Sequence, residues 1–226
     1  MRYNKFLLKE TLFLVLLYIL GIAATFTVHA LWFKEEPISD MLISTTQTAA
    51  WLITAYIFFI DMNNKMISRL IINGGTRSGI WISKAITVVL TAVVMTAIQT
   101  AAIIIDRGGL SGCSEQIIKV SVMTLLLTTF IGALTALLSV LIKNMSVVVI
   151  LIFAYICPWT YIMAANYCEK SKHLFIKSNP FYYLLKMSNT GMLNKMGIIL
   201  CCITGLALWV VSFVIIQRKE LKEDNG

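Results

Sequence analysis

The sequence predicts an all-α polytopic membrane protein in a single domain, residues 1–226. Six transmembrane helices are expected, with a short amphipathic helix before the first and a further short helix between the second and third. Three observations carry that prediction. Of 226 residues, 58% are hydrophobic and 13% charged, whereas a soluble domain carries about a quarter charged residues. Mean hydropathy is +0.83, which points to the bilayer as solvent. Six runs are continuously apolar, and none holds an Asp, Glu, Lys or Arg at its centre, where one charge costs about 2.5–3.5 kcal/mol on insertion.

The chain opens with "MRYNKFLLKETLF", which reads as a short amphipathic helix or, equally, as a plain basic flank. The first run, Thr11–Trp32, exceeds the apolar core of a signal peptide and lacks a convincing small-residue cleavage site, so it is expected to be retained as a span. The others are Met41–Ile60, Ala85–Ile105, Val120–Ile142, Ser146–Ala165 and Met196–Ile216. About 20 residues at helical rise cross a ~30 Å hydrocarbon core, and each run suffices. Continuous apolarity over such lengths excludes the alternating strands of a membrane β-barrel.

Orientation follows from Lys and Arg. One side holds Arg2, Lys5, Lys9, Lys65, Arg69, Arg77, Lys84, Lys143, Arg218, Lys219 and Lys222. The other holds Lys34, Arg107 and Lys119, then Lys170, Lys172, Lys177, Lys186 and Lys195 in the fifth loop. The richer side is placed in the cytoplasm, with both termini. The fifth loop, Asn166–Lys195, mixes lysines with Tyr167, Phe175, Phe181, Tyr182 and Tyr183 around Pro180. It reads as an interfacial segment with aromatics at headgroup depth, or as an external helical cap that meets a substrate leaving the pore.

Several chemistries are excluded or weakened. The net charge of +8 concerns loop orientation and anionic lipid, not nucleic acid, because no basic patch is interleaved with aromatics on a soluble domain. The five Cys form no CxxC pair and only two His exist, so zinc-ligand spacing is absent. Cys157, Cys201 and Cys202 lie in apolar runs as small hydrophobes. Cys113 and Cys168 fall in predicted loops on one side, either bridged or as two thiols. "NGGTRSGIWISKA" has glycines at phosphate-loop spacing, but Ile80 and Trp81 stand where Lys and Ser/Thr are required. ATP hydrolysis is therefore not expected in this chain. "EEPISD" begins like the paired-glutamate motif of CAAX-processing-type membrane proteases, but Asp40 stands where their Arg belongs. Glu35 and Glu36 also lie in a short external loop, and hydrolysis needs a buried, water-reachable site. An intramembrane protease is the least favoured reading.

No span carries a charged residue of the kind an ion-coupled carrier uses. Polar residues inside the spans are Ser44, Thr45, Thr46, Gln47 and Thr48, then Thr87, Thr91, Thr96, Gln99 and Thr100. The hydroxyls are expected to bond back to their own helices. A buried amide needs a partner, so Gln47 and Gln99 are expected to face protein or a cavity and are the candidates for a translocation path.

The second loop, Asp61–Lys84, is patterned. Met62, Met66, Leu70 and Ile71 recur near helical spacing until Asn73-Gly74-Gly75, a helix stop. An acid closing the second span (Asp61), a short helix (Met66–Ile72), a Gly-to-Ser turn (Gly74–Ser78) and "IWISK" (Ile80–Lys84) opening the third together resemble the permeases of type-2 ATP-binding-cassette (ABC) exporters. The basic start, the Lys143-Asn144 turn, the long segment before the last span and the "QRKELK" end fit the same pattern. The turn lacks the Pro often found before the Ser/Arg, and the chain is short.

The resemblance implies an exporter's permease in a bacterial plasma membrane, with a cytoplasmic coupling helix between spans two and three. Its partner would be a separate ABC ATP-binding subunit that holds ATP and Mg; this chain would hold no cofactor. A second copy, or a sister permease, would complete the path. Asp61, Asn64, Lys65, Arg69, Gly74 and Arg77 would form the docking surface. Chain size and Ile/Lys/Asn usage are similar to small bacterial permeases that export, or give immunity to, antimicrobial or amphipathic peptides. The competing reading is a membrane immunity or anchor protein that acts without ATP.

Overall fold

The computed structural model describes residues 2–32, 38–64, 76–107, 109, 113–142, 144–156, 179–190 and 193–224. Their side chains are described too, except at 2–10, 39–40, 60–64, 154–156, 181, 185, 188–190 and 219–224. These residues form seven helices and no strand. They are α1 (Arg2–Trp32), α2 (Ile38–Asn64), α3 (Arg77–Arg107), α4 (Ser114–Leu141), α5 (Met145–Ile156), α6 (Pro180–Thr190) and α7 (Lys195–Asp224). Five contain a segment long and apolar enough to cross a membrane: Thr11–Trp32, Met41–Phe59, Arg77–Arg107, Ser114–Leu141 and Lys195–Arg218.

The starts of three helices are written in the sequence. The Thr76 hydroxyl accepts from the Gly79 N–H at 3.1 Å and caps α3. Asn144 accepts from the Ser146 N–H at 3.0 Å to start α5, and Asn194 accepts from the Met196 N–H at 3.0 Å to start α7. Each satisfies a donor that has no partner within the helix. Ile142 is extended at the end of α4, and Asn144 opens α5 two residues later; Lys143 lies outside the described residues.

Three boundaries differ from the sequence expectation. The separate N-terminal helix is instead the first part of one continuous α1 of 31 residues. No Gly or Pro interrupts the chain before Gly21, so nothing breaks the helix. At about 46 Å, it exceeds the hydrocarbon core and leaves its basic start outside. The third span begins at Arg77 rather than Ala85, because the Thr76 cap starts the helix before the apolar run does. Part of the fifth loop is the helix α6. The fifth span, Ser146–Ala165, is helical from Met145 to Ile156; its remainder, and the expected helix Met66–Ile72, lie outside the described residues.

α4 is the central helix, packed against α2, α3 and α7, with α5 beside it. α1 lies across α2 and α3, and α6 sits on α7 with contacts to α2 and α4. Close approach is concentrated at Gly132 of α4, where a Cβ would stand 2.5 Å from Val88 Cγ1 on α3. Small residues at such crossings let helix backbones approach in lipid. The outer faces of α1, α3 and α7 expose Leu12, Leu16, Leu20, Val89, Val93, Ile203, Leu206 and Val210.

α6 is a cap at the end of the bundle where α4 and α7 begin. Tyr182, Leu184 and Met187 are buried, and Tyr183 Cβ presses onto Gly197 of α7. The Cys201 thiol donates to the Pro180 carbonyl at 3.3 Å. Tyr182 therefore packs against protein. Cys113 is buried, with its thiol donating to the Gly109 carbonyl at 3.1 Å; Cys168 lies outside the described residues.

Candidate functional site

Two polar centres stand inside this apolar bundle, one near each end. The first is built on Gln99 of α3, which is fully buried. Its amide nitrogen donates to the Leu42 carbonyl at 2.9 Å and to the Thr46 hydroxyl, and its amide oxygen accepts from Thr124. Thr46 in turn donates to the Leu42 carbonyl at 2.8 Å. Having spent its proton there, it accepts from the Tyr18 hydroxyl at 3.1 Å. Every proton in the node is thereby assigned. Tyr18 on α1, Leu42 and Thr46 on α2, Gln99 on α3 and Thr124 on α4 tie four helices through one amide. Both ends of that amide are bonded to protein, which is how a buried Gln must be held.

Below the node, toward the α3 start, a column of hydroxyls continues. Thr54 of α2 lies 3.3 Å from Thr135 of α4, and both also donate to carbonyls of their own helices, Ala50 and Ile131. Between node and pair sits Thr128, 0% exposed and without a hydrogen-bond partner. An unsatisfied buried hydroxyl costs about 1–3 kcal/mol. Thr45, Thr48, Thr87, Thr91 and Thr96 bond back one turn as expected, whereas Thr100 meets Ser121 of α4 at 3.4 Å. Gln47 is half-buried beside the exposed Ser44 and Thr48 on the α2 surface.

The second centre lies where α2 ends and α3 begins. Lys84 is only 5% exposed. Its ammonium donates to the Phe58 carbonyl of α2 at 2.8 Å and lies 5.8 Å from the Phe58 ring centroid. Around it, Trp81 meets Trp209 edge-on at 5.3 Å and Phe213 at 5.3 Å, and Phe58 meets Trp209 at 6.1 Å. A charged donor on a carbonyl is worth about 1.5–3 kcal/mol, a cation over a ring about 0.5–2 kcal/mol, and the C-terminal end of a helix favours positive charge. Together they make a buried ammonium tolerable. The result is one fastened block of α2, α3 and α7.

Lys84 was missed as an interior residue because its charge suggested a rim. The signal was present in the spacing. Ile80, Lys84, Val88, Thr91, Met95, Gln99 and Ala102 are all buried on α3, at the three-to-four-residue intervals of one helix face.

Of the expected docking residues, Asp61 and Asn64 fall in the last turn of α2, with their side chains outside the described set. Lys65, Arg69 and Gly74 lie outside the described residues altogether. Arg77, half-buried, is the first residue of α3. The structure therefore places the two ends of this segment at one end of the bundle, on the block fastened by Lys84. Among the described residues no cluster of His, Cys, Asp and Glu is arranged to hold a metal. No family model matches the sequence, and neither a characterised protein nor a solved structure matches it.

Proposed function

We propose that this chain is the membrane permease of an ATP-driven exporter, working with a separate ATP-binding subunit. The observation that carries the reading is the fastened block at the α2 and α3 ends. A connection of about a dozen residues that leaves and re-enters a rigid block can pass a push into the bundle, whereas the same connection on frayed helix ends would absorb it. The order Asp61, Met66–Ile72, Gly74–Ser78 and Ile80–Lys84, which resembles exporter permeases, supports the same assignment.

On this reading Asp61, Asn64, Lys65, Arg69, Gly74 and Arg77 contact the ATPase at the cytoplasmic face of a bacterial plasma membrane. ATP and Mg stay on the partner. A second copy, or a sister permease, completes the path, and Gln47, half-exposed on α2, faces it. An apolar interior that, among the described residues, carries hydroxyls and one ammonium held on a carbonyl near its end suits an amphipathic peptide or drug-like amphiphile better than an ion.

The test is co-purification from native membrane. An ATPase with an intact phosphate-binding loop is expected to accompany the chain. Arg69→Glu with Arg77→Glu is expected to release it and to abolish permease-stimulated ATP turnover. Unchanged association and turnover would overturn the assignment of the docking surface. Protection of cells that lack any partner ATPase would favour the ATP-independent immunity or anchor protein instead.

A further inference from the structure

Because α1 is one continuous helix of 31 residues, packing in its span fixes which way its basic start faces. Thr11, Tyr18 and Ile22 are buried, where α1 lies on α2 and α3. Leu12, Leu16 and Leu20 are exposed on the other side. Carried back at about 100° per residue, that exposed side takes in positions 2, 5 and 9. Arg2, Lys5, Lys9, Leu12, Leu16 and Leu20 follow at steps of three or four residues, the spacing of a single helix face. Glu10, the one acid ahead of Thr11, stands about a quarter turn off it.

We infer that this face of α1 binds an anionic phospholipid, with its phosphate on Arg2, Lys5 and Lys9 and an acyl chain along Leu12, Leu16 and Leu20. The lengths agree. From Lys9 to Leu20 the helix rises about 16 Å, the depth of one leaflet of a ~30 Å hydrocarbon core. Lys9 stands just ahead of the apolar segment Thr11–Trp32, so the bases begin where the core ends. Long basic side chains reach along a helix to the headgroup layer. The charges agree as well. Three cations in line favour a lipid of net negative charge over a zwitterion, by about fivefold for each base near the surface.

The helix phase also decides between partners. The bases stand on the side of α1 away from α2 and α3, whose ends carry the connection assigned above to an ATPase. A soluble subunit seated beneath those ends meets the opposite side of α1, while the basic side fronts the bilayer. A plain basic flank, the other reading of "MRYNKFLLKETLF", needs no phase, because its bases orient the chain from any side of the helix. The lipid site needs them on the exposed side. It needs no ATPase, so it stands or falls independently of the permease reading.

The test uses the full chain in phosphatidylcholine vesicles doped with spin-labelled phosphatidylglycerol or, separately, with spin-labelled phosphatidylcholine. It reads the ratio of the two labels held at the protein surface. The parent is expected to favour phosphatidylglycerol. One Ala inserted between Glu10 and Thr11 turns the bases about 100° off the face and changes no side chain of the bundle. Exchanging neighbours, Asn4→Lys with Lys5→Asn and Leu8→Lys with Lys9→Leu, turns Lys5 and Lys9 off the face without lengthening the helix. Both rotated chains keep the net charge. Both are expected to lower the ratio at least about fivefold, the share of one base at an anionic surface. They should match Lys5→Gln with Lys9→Gln, whereas Lys5→Arg with Lys9→Arg should keep the parent's ratio. A parent without the preference overturns the inference. So does a preference that survives rotation, which would make the bases a plain flank. Release of a co-purifying soluble protein by rotation, with the ratio unchanged, overturns it too and gives the face to a protein.

Discussion

Gln99→Leu tests the four-helix node most directly. The substitution keeps the approximate volume of the side chain and removes three bonds at once, those to the Leu42 carbonyl, Thr46 and Thr124. Interhelical hydrogen bonds in bilayers average about 0.6 kcal/mol and reach about 1.7 kcal/mol, so three set a loss of about 2–5 kcal/mol. Two facts reduce it. The Leu42 carbonyl keeps its bond from Thr46, and the buried amide no longer has to be desolvated. A net cost of about 2 kcal/mol is expected, a fall of roughly 4–8 °C in melting temperature for a chain of this size. The assay is thermal unfolding in a mild detergent, run as a cycle with Thr124→Val. Because the Thr124 bond is lost in either single variant, the double variant should fall short of the sum by about 0.6–1.7 kcal/mol. Strict additivity, or a Gln99→Leu chain as stable as the parent, would refute the node as a cross-brace.

Two further substitutions probe the packing around it. Lys84→Glu would set a buried carboxylate against the Phe58 carbonyl, now 2.8 Å from the ammonium, and against the negative end of α2. A loss of at least about 3 kcal/mol is expected, seen as poor recovery of folded protein on gel filtration; parent-like yield and melting temperature would contradict the buried placement. Gly132→Ala would bring a Cβ to 2.5 Å from Val88 Cγ1 and is expected to cost about 1–3 kcal/mol by overpacking. Val88→Ala in the same chain should recover most of that loss, and failure to recover it would place the strain elsewhere.

What was legible in the sequence was whatever depends on apolar runs. A span is a statement about average polarity, so α1, α2, α3, α4 and α7 were all foreseen, although α1 and α3 begin more than two turns ahead of the expected runs. Helix starts were less visible, because each is set by one polar side chain, Thr76, Asn144 or Asn194, and a run-based reading does not register one residue. α6 was legible in principle: Asn179-Pro180 is a helix opening, since Pro fits the first helical turn. Its aromatics pulled the reading toward the membrane surface instead. Gln99 was identified from cost alone, because an amide in a span must be answered. Lys84 obeys the same rule, but its position near a span end let it be assigned to water. The docking residues were drawn from an order of motifs rather than from a physical requirement, so packing inside the bundle does not bear on Lys65 or Arg69.

The placement of polar groups in this chain follows from its solvent. In water, burial of Leu and Ile would select the helix arrangement; in lipid, an exposed Leu16 or Val93 is as well solvated as a buried Leu42. Apolar area therefore cannot choose which face of α3 turns inward. That choice falls to the residues whose exposure to hydrocarbon is costly and to those whose size permits approach. On α3 they are Lys84, Gln99 and the gap that Gly132 leaves for Val88, and they lie on one stripe.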